Sequence, residues 1–347
     1  MRRAYAYTLV IVLFWGTSLV TNKALLLAQR GGQRLTPLQV AFWGIGLGWA
    51  TLLVALAARG RLRYLRLVPA RGWAVLALMG FCGWAGYAVS LNYAFTRLPL
   101  PDAIVINYLH PVFVVLFQGP VFGGVVRRLT GWEWVAEARR PSAARLAAGL
   151  ALCLLGVAVI ATGGRLGSLG RGASAPGALA ALFAALCWGA YSNLGRFIPP
   201  RRPGEPQLPS DLQSLLAMSF GIVFLAGALA AGRGVVGPGG FTARLFLGSV
   251  GPAPVAAWWL LGVMGVMVYG GSYTLWLHAL ELGARLGEAH KLPPITYLTP
   301  VFGVALGWLV LHEPFGPGFW QGAVLIAAGN AVNVWRRARR QTPALAA

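Results

Sequence analysis

The chain has 347 residues, 57% hydrophobic and 11% charged, with a mean hydropathy of +0.66. A soluble domain carries about 25% charged residues, so a soluble enzyme, a disordered chain and a disulfide-stapled secreted domain all fit poorly. The formal net charge of +21 would suit nucleic acid, but the basic residues, all Arg except Lys23 and Lys291, fall in short clusters between apolar runs. No basic groove with stacking aromatics can be traced, so the expected partner is the lipid bilayer and not nucleic acid.

Taken in chain order, Met1-Arg2-Arg3 before an apolar run imitates a signal peptide. The run is long enough to span, and no A-x-A site follows it, so it is read as the first span. With about 20 apolar residues needed to cross as a helix, the sequence predicts ten spans, at 5–28, 37–58, 72–95, 102–124, 145–163, 177–197, 211–231, 256–279, 287–311 and 318–335. Their length and lack of alternation favour helices over barrel strands. The expected fold class is therefore an all-α integral membrane protein. With the N-terminus cytoplasmic, 20 Arg fall in inside segments and 7 in outside ones. That bias predicts an inner-membrane protein with both termini cytoplasmic.

Two loops are longer than connectors. Residues 125–144 carry Trp132, Glu133, Trp134 and Glu137 among arginines and suit the inner interface. Residues 232–255 contain Gly237-Pro238-Gly239-Gly240 and read as an outer loop with a short apolar turn or as a plain linker. Cys82, Cys153 and Cys187 lie inside apolar runs without metal-like spacing and are expected as small core residues. No metal, cofactor or catalytic residue is expected.

The two halves echo each other. Phe14-Trp15-Gly16 returns as Cys187-Trp188-Gly189, and Tyr108-Leu109-His110-Pro111-Val112-Phe113 as Tyr297-Leu298-Thr299-Pro300-Val301-Phe302. Gly149 and Gly156 match Gly322 and Gly329. Five spans per half is an odd number, so the second half enters the membrane in the opposite sense. The expectation is two inverted five-helix repeats, 1–165 and 177–340. Such repeats suit alternating access.

These motifs, with Leu311-His312-Glu313-Pro314 and the closing Gly322-Ala323-Val324-Leu325-Ile326-Ala327-Ala328-Gly329, make the chain resemble the EamA-type branch of the drug/metabolite transporter superfamily over nearly its whole length. The resemblance implies a ten-helix basket with a central pathway for small metabolites, often moved outward. One departure is that the family's L-x-E after the proline motif survives as Glu313, while the first half reads Phe122-Gly123-Gly124.

Polar groups inside a span tend to face the bundle interior. Trp15, Ser18 and Asn22 share one face of span 1, and Trp188, Tyr191, Ser192 and Gly195 make the matching face of span 6. These stripes are read as lining the pathway; a packing seam of Trp and small residues is the alternative. Span 4 adds Asn107, Tyr108 and His110 before Pro111, and span 9 adds Thr296, Tyr297 and Thr299 before Pro300. A proline inside a helix frees a carbonyl, available to a cavity or simply to a kink. Spans 3 and 8 contribute Trp84, Tyr87, Ser90 and Asn92, and Tyr269, Ser272, Tyr273 and Trp276, whose faces suit a ring or an apolar side chain. The candidate pathway residues are thus Trp15, Ser18, Asn22, Tyr87, Asn107, His110, Trp188, Tyr191, Ser192, Tyr269, Tyr273 and Tyr297.

Lys23 reads as snorkelling or facing the cavity, Asp102 as a helix N-cap, and Glu288 with Lys291 as an i, i+3 pair or an inner gate. No carboxylate sits mid-span, whereas a carrier of lipophilic cations needs one. The expected substrate is a small neutral, zwitterionic or anionic metabolite, amino-acid-like and with aromatic side chains among the options. Any proton coupling would run through His110 or an end-of-span acid. The expected assembly is a monomer or weak dimer. A membrane enzyme would need clustered acids or a metal set, and His110, His278, His290 and His312 are scattered, so no enzyme is expected; a lipid-related scaffold or flippase is the other alternative.

Overall fold

The structure is a computed structural model and describes residues 1–28, 37–98, 100–131, 143–170, 174–198, 207–231, 255–312, 315 and 317–334. Within those residues all regular structure is helical. Lipid offers no partner for backbone N–H and C=O, so long apolar runs satisfy them within the segment. The elements are α1 (Arg2–Ala28), α2 (Pro37–Ala58) and a 3-10 stretch at Arg61–Leu67. Then α3 (Ala70–Gly80) passes through a wider π turn (Phe81–Gly86) into α4 (Tyr87–Arg97). There follow α5 (Leu100–Asn107), α6 (His110–Phe117), α7 (Pro120–Thr130) and α8 (Ala143–Thr162). Next come α9 (Ala175–Leu194), started by Ser174 Oγ accepting the Gly177 N–H, and α10 (Ser210–Ala231). Next, α11 (Val255–Val263) runs through a second π turn (Met264–Ser272) into α12 (Tyr273–Arg285). After 3-10 turns at Ala289–Lys291 and Pro293–Leu298 come α13 (Thr299–Leu311) and α14 (Phe319–Val334).

Among the described residues seven stretches are long and apolar enough to cross a membrane, or eight with one bent pair counted as a span. That pair falls on the span expected at 102–124, where a proline kink was one reading, and its main bend lies beyond that proline. The helix is interrupted between Asn107 and His110, and Asp102–Phe117 is bent 78° from Val121–Arg128. Pro111 denies the Asn107 carbonyl its helical N–H, and Gly119 takes an extended ψ of 162° before Pro120 opens α7. Asp102 corrects an expectation. It is buried in the first turn of α5, and its Oδ1 accepts the Gly170 N–H at 3.1 Å, tying α5 to the turn after α8 instead of capping its own helix. Glu288 and Lys291 do pair, at 3.4 Å.

The packing trades partners between the two motif-sharing stretches. Helix α1 lies on α13 while α9 lies on α6; α2 lies on the second π turn while α10 lies on α3 and the first; α8 lies along α14. Small residues set these distances. A Cβ on Gly16 would stand 3.2 Å from the Phe302 Cβ, and one on Gly189 2.6 Å from the Phe113 Cβ. Gly156 and Gly322 face each other so closely that a Cβ on either would meet the other's carbonyl at 2.6 Å.

One core runs through the bundle, from Ile11, Leu56 and Leu212 to Trp84, Trp188 and Trp276, and a smaller one joins α8 to α14 around Cys153, Val157 and Ile326. All three cysteines are buried there and free. The outside is apolar too: Val54, Leu116, Val121, Leu179, Val223 and Val324 are exposed. In water such a belt would be an aggregation surface; in a bilayer it is the wetted one. Residues 132–142 and 232–254, Glu313 and the Arg cluster from Arg336 lie outside the described residues, as do the side chains of Asn22 and Lys23.

Candidate functional site

At the centre, Trp15 of α1 and Trp188 of α9 meet edge to face, with ring centroids 5.3 Å apart. Each was positioned by its glycine neighbour: without a side chain at Gly16 or Gly189 the backbone presses on the facing helix, and the indole turns inward. Trp188 also touches Tyr87 at 5.4 Å, Tyr191 at 5.5 Å, His110 at 6.0 Å and Tyr273 at 4.9 Å. Tyr273 stacks on Trp84 at 4.0 Å and 19°, and Tyr269 sits 6.1 Å from Tyr273. Trp84 and Tyr269 each lie inside a π turn. Such turns advance the side chains out of helical register and recur at functional sites.

The hydrogen bonds cross between helices. Trp15 Nε1 donates to Ser272 Oγ at 2.7 Å, and Ser272 in turn donates to the Val268 carbonyl. Trp276 Nε1 donates to Ser192 Oγ at 2.9 Å, while Ser192 donates to the Trp188 carbonyl at 2.9 Å. Ser18 donates to the Trp15 carbonyl at 2.6 Å. The two serines of the predicted stripes thus bond to their own helices. Asn193, buried beside them, donates to the Val114 and Gly189 carbonyls at 3.0 and 2.9 Å, pinning α9 to α6. In span 4, Asn107 reaches the Tyr87 hydroxyl at 3.5 Å, and its carbonyl lies 2.9 Å from His110 Nδ1. The indole N–H groups of Trp84 and Trp188 are buried without a partner among the described residues.

Of the candidate residues, Trp15, Tyr87, Asn107, His110, Trp188, Tyr191, Tyr269 and Tyr273 come together here. Ser18 and Ser192 support the same helices. Tyr297 does not join them: it is buried in the α8–α14 core, with Tyr108 stacked on it at 6.1 Å. Trp84, Trp276 and Ser272 belong to the centre as fully as the candidates. The spacing Trp84-x-x-Tyr87 on span 3 and Tyr273-x-x-Trp276 on span 8 was the available signal. No three His, Cys, Asp or Glu among the described residues could hold a metal ion.

An apolar outer belt around an uncharged, aromatic and hydrogen-bonded centre defines a polytopic membrane protein. The chain belongs to the EamA-like transporter family, which matches residues 2–136 and again 175–335, and is thus a membrane transporter. It is 27% identical over 303 residues to the uncharacterized protein PA1977 of Pseudomonas aeruginosa, covering 84% of this chain and 83% of that one. It is also 33% identical over 67 residues to the putative permease-like protein YdzE of Bacillus subtilis, 19% of this chain and 80% of the relative. A solved crystal structure superposes with a TM-score of 0.65 over 95% of this chain and 96% of its own, at 21% identity, a likeness of fold alone.

Proposed function

We propose that this chain is a secondary carrier of the inner membrane, made of ten spans in two inverted halves, 1–165 and 177–340, with both termini cytoplasmic. It moves a small neutral, zwitterionic or anionic metabolite, amino-acid-like and with aromatic side chains among the options, by alternating access and in the outward direction. Helices α1 and α14 and the bent pair bring the seven long spans to ten. The observation that carries the reading is the meeting of Trp15 and Trp188 at 5.3 Å. They occupy corresponding places in the repeated motif, and each is backed by a glycine against the other half's proline-bearing helix. A solute bound beside them is released to either side as the halves rock. The second observation is the absence of a carboxylate from the aromatic centre among the described residues: a buried cation would find no counter-charge there.

The test is counterflow of labelled metabolites into liposomes holding the purified full-length protein. Trp15→Ala and Trp188→Ala are each expected to cut flux at least tenfold at unchanged membrane abundance. Truncating a buried Trp also costs about 3–5 kcal/mol of packing, so Trp15→Phe and Trp188→Phe serve as folded companions with intermediate flux. Unchanged flux in both alanine variants would remove the pathway from this place. Export of ethidium-like cations would overturn the substrate class.

A further inference from the structure

Cys82 and Cys187 take no part in the carrier reading, yet they flank two rings of its centre. Cys82 is the second residue of the first π turn, two before Trp84, and Cys187 directly precedes Trp188 on α9. Both are buried in the main core, 7% and 4% exposed, and both are free. Cys187 Sγ packs over Gly86, about one turn along from Cys82, so closely that a Cβ there would stand 3.2 Å from it. The two sulfurs meet across this seam, one thiol donating a hydrogen bond to the other. The repeat does not require the pair. In the matching motif Phe14 stands where Cys187 does, and its ring lies 3.5 Å from a Cβ placed on Gly271 of the second π turn. A hydrocarbon therefore serves the packing in one half, and only the other half apposes two thiols. Cys153 lies apart in the smaller core, where its thiol donates to the Ile326 carbonyl at 3.6 Å.

Two apposed thiols become a ligand pair for a soft metal ion once each gives up its proton. The surroundings select the ion. No charged residue lies between Arg71 and Arg97 in span 3 or between Arg171 and Arg196 in span 6, so a complex that stays buried has to be neutral. Two thiolates leave a negative charge on a monovalent ion such as copper(I) or silver(I), and none on a divalent one. Zinc(II) takes four ligands, and no three His, Cys, Asp or Glu among the described residues could hold a metal ion. Mercury(II) is divalent and soft, and two sulfurs in line complete its coordination. We propose that Cys82 and Cys187 form a two-thiolate site for mercury(II) that ties span 3 to span 6. Two S–H bonds break and two Hg–S bonds form, both protons leave to solvent, and no oxidation state changes. The two spans belong to opposite halves of the proposed carrier, so the tie stops the rocking. The site itself stands without the carrier reading; the arrest of transport rests on it.

The experiment treats the full-length protein in liposomes with mercury(II) chloride, washes it with glutathione and reads the intact mass. The wash strips mercury from a lone thiol, while a pair held at high effective concentration keeps it. The expected product is the chain plus one mercury and minus two hydrogens, carrying neither chloride nor glutathione. Cys153→Ser is expected to keep the metal as the wild type does, and Cys82→Ser and Cys187→Ser to retain at least tenfold less. The wild-type mass is read without any variant, so a serine variant that folds poorly does not hide the result. Labelled counterflow after the same wash is expected to fall at least tenfold in the wild type and in Cys153→Ser, and to show no lasting effect of mercury in the other two. Mercury held only as a chloride or glutathione adduct, or retained equally by Cys82→Ser and Cys187→Ser, would overturn the site. Mercury bridged in the wild type with undiminished counterflow would overturn the tie between the halves. Should no metabolite in a wide panel exchange even before mercury is added, the carrier reading falls, and the mass still decides the site.

Discussion

Ser192 is where two helices are tied by one hydroxyl: it donates to the Trp188 carbonyl and accepts from Trp276 Nε1, each at 2.9 Å. Ser192→Ala leaves the Trp276 N–H buried and unpaired, a loss of about 1–3 kcal/mol. Trp276→Phe removes the donor along with its need, so the double variant is expected to be less destabilised than the sum of the singles, by about 0.5–3 kcal/mol. Thermal unfolding of the four proteins in detergent measures this; strict additivity would mean the bond contributes nothing. The prominence of Trp15 and Trp188 was legible because their motif occurs twice. Trp276 and Trp84 were harder to single out. An aromatic residue in an apolar run looks like filler until the residue it faces is known, and Trp276 meets its serine across 84 positions of chain. Tyr297 shows the converse, since a polar tip near a proline was expected in the pathway and packs elsewhere.

At the level of helices, glycines divide into those that set a contact and those that do not. Gly156→Val would drive a side chain into the Gly322 carbonyl, which a Cβ already meets at 2.6 Å. The α8–α14 seam would have to open, and folded yield is expected to fall sharply. A Cβ on Gly46 of α2 meets nothing within 4 Å; Gly46→Ala is expected to be neutral or stabilising by about 0.5–1 kcal/mol through the helix backbone alone. Size-exclusion profiles and melting midpoints of the two variants check the contrast. The long straight spans were readable from hydropathy, as was the existence of a proline break. Its extent was not. The 78° bend depends on where Gly119 and Pro120 fall relative to the neighbouring helices, and the two π turns carry no sequence signature of their own.

Across the whole molecule, the Arg bias of 20 to 7 predicts that both ends face the cytoplasm. The three native cysteines are buried, so surface cysteines can report it cleanly. In intact cells Ser168→Cys, in the turn after α8, is expected to react with a membrane-impermeant thiol reagent, and Arg59→Cys, after α2, only once the membrane is opened. The reverse pattern would invert the topology and with it the direction assigned to transport. On the Arg59 side, Arg61 pairs with Asp211 at 3.0 Å, joining the stretch after α2 to the head of α10. Being partly solvated, the pair contributes about 0–1 kcal/mol. Asp211→Asn is therefore expected to change stability slightly.

Composition and motif order were enough to determine that the chain lives in a bilayer, that it is helical, and that its two stretches share one plan. Those properties follow from local quantities, the apolar length of a run and the placement of arginines, which a helix in lipid obeys segment by segment. The partners were decided by tertiary structure. Trp15 meets Trp188, Asp102 reaches Gly170 instead of capping its helix, and Trp276 meets Ser192. Each is a contact between residues whose separation along the chain says nothing of their distance in space, and the first depends on how closely Gly16 and Gly189 let two helices approach.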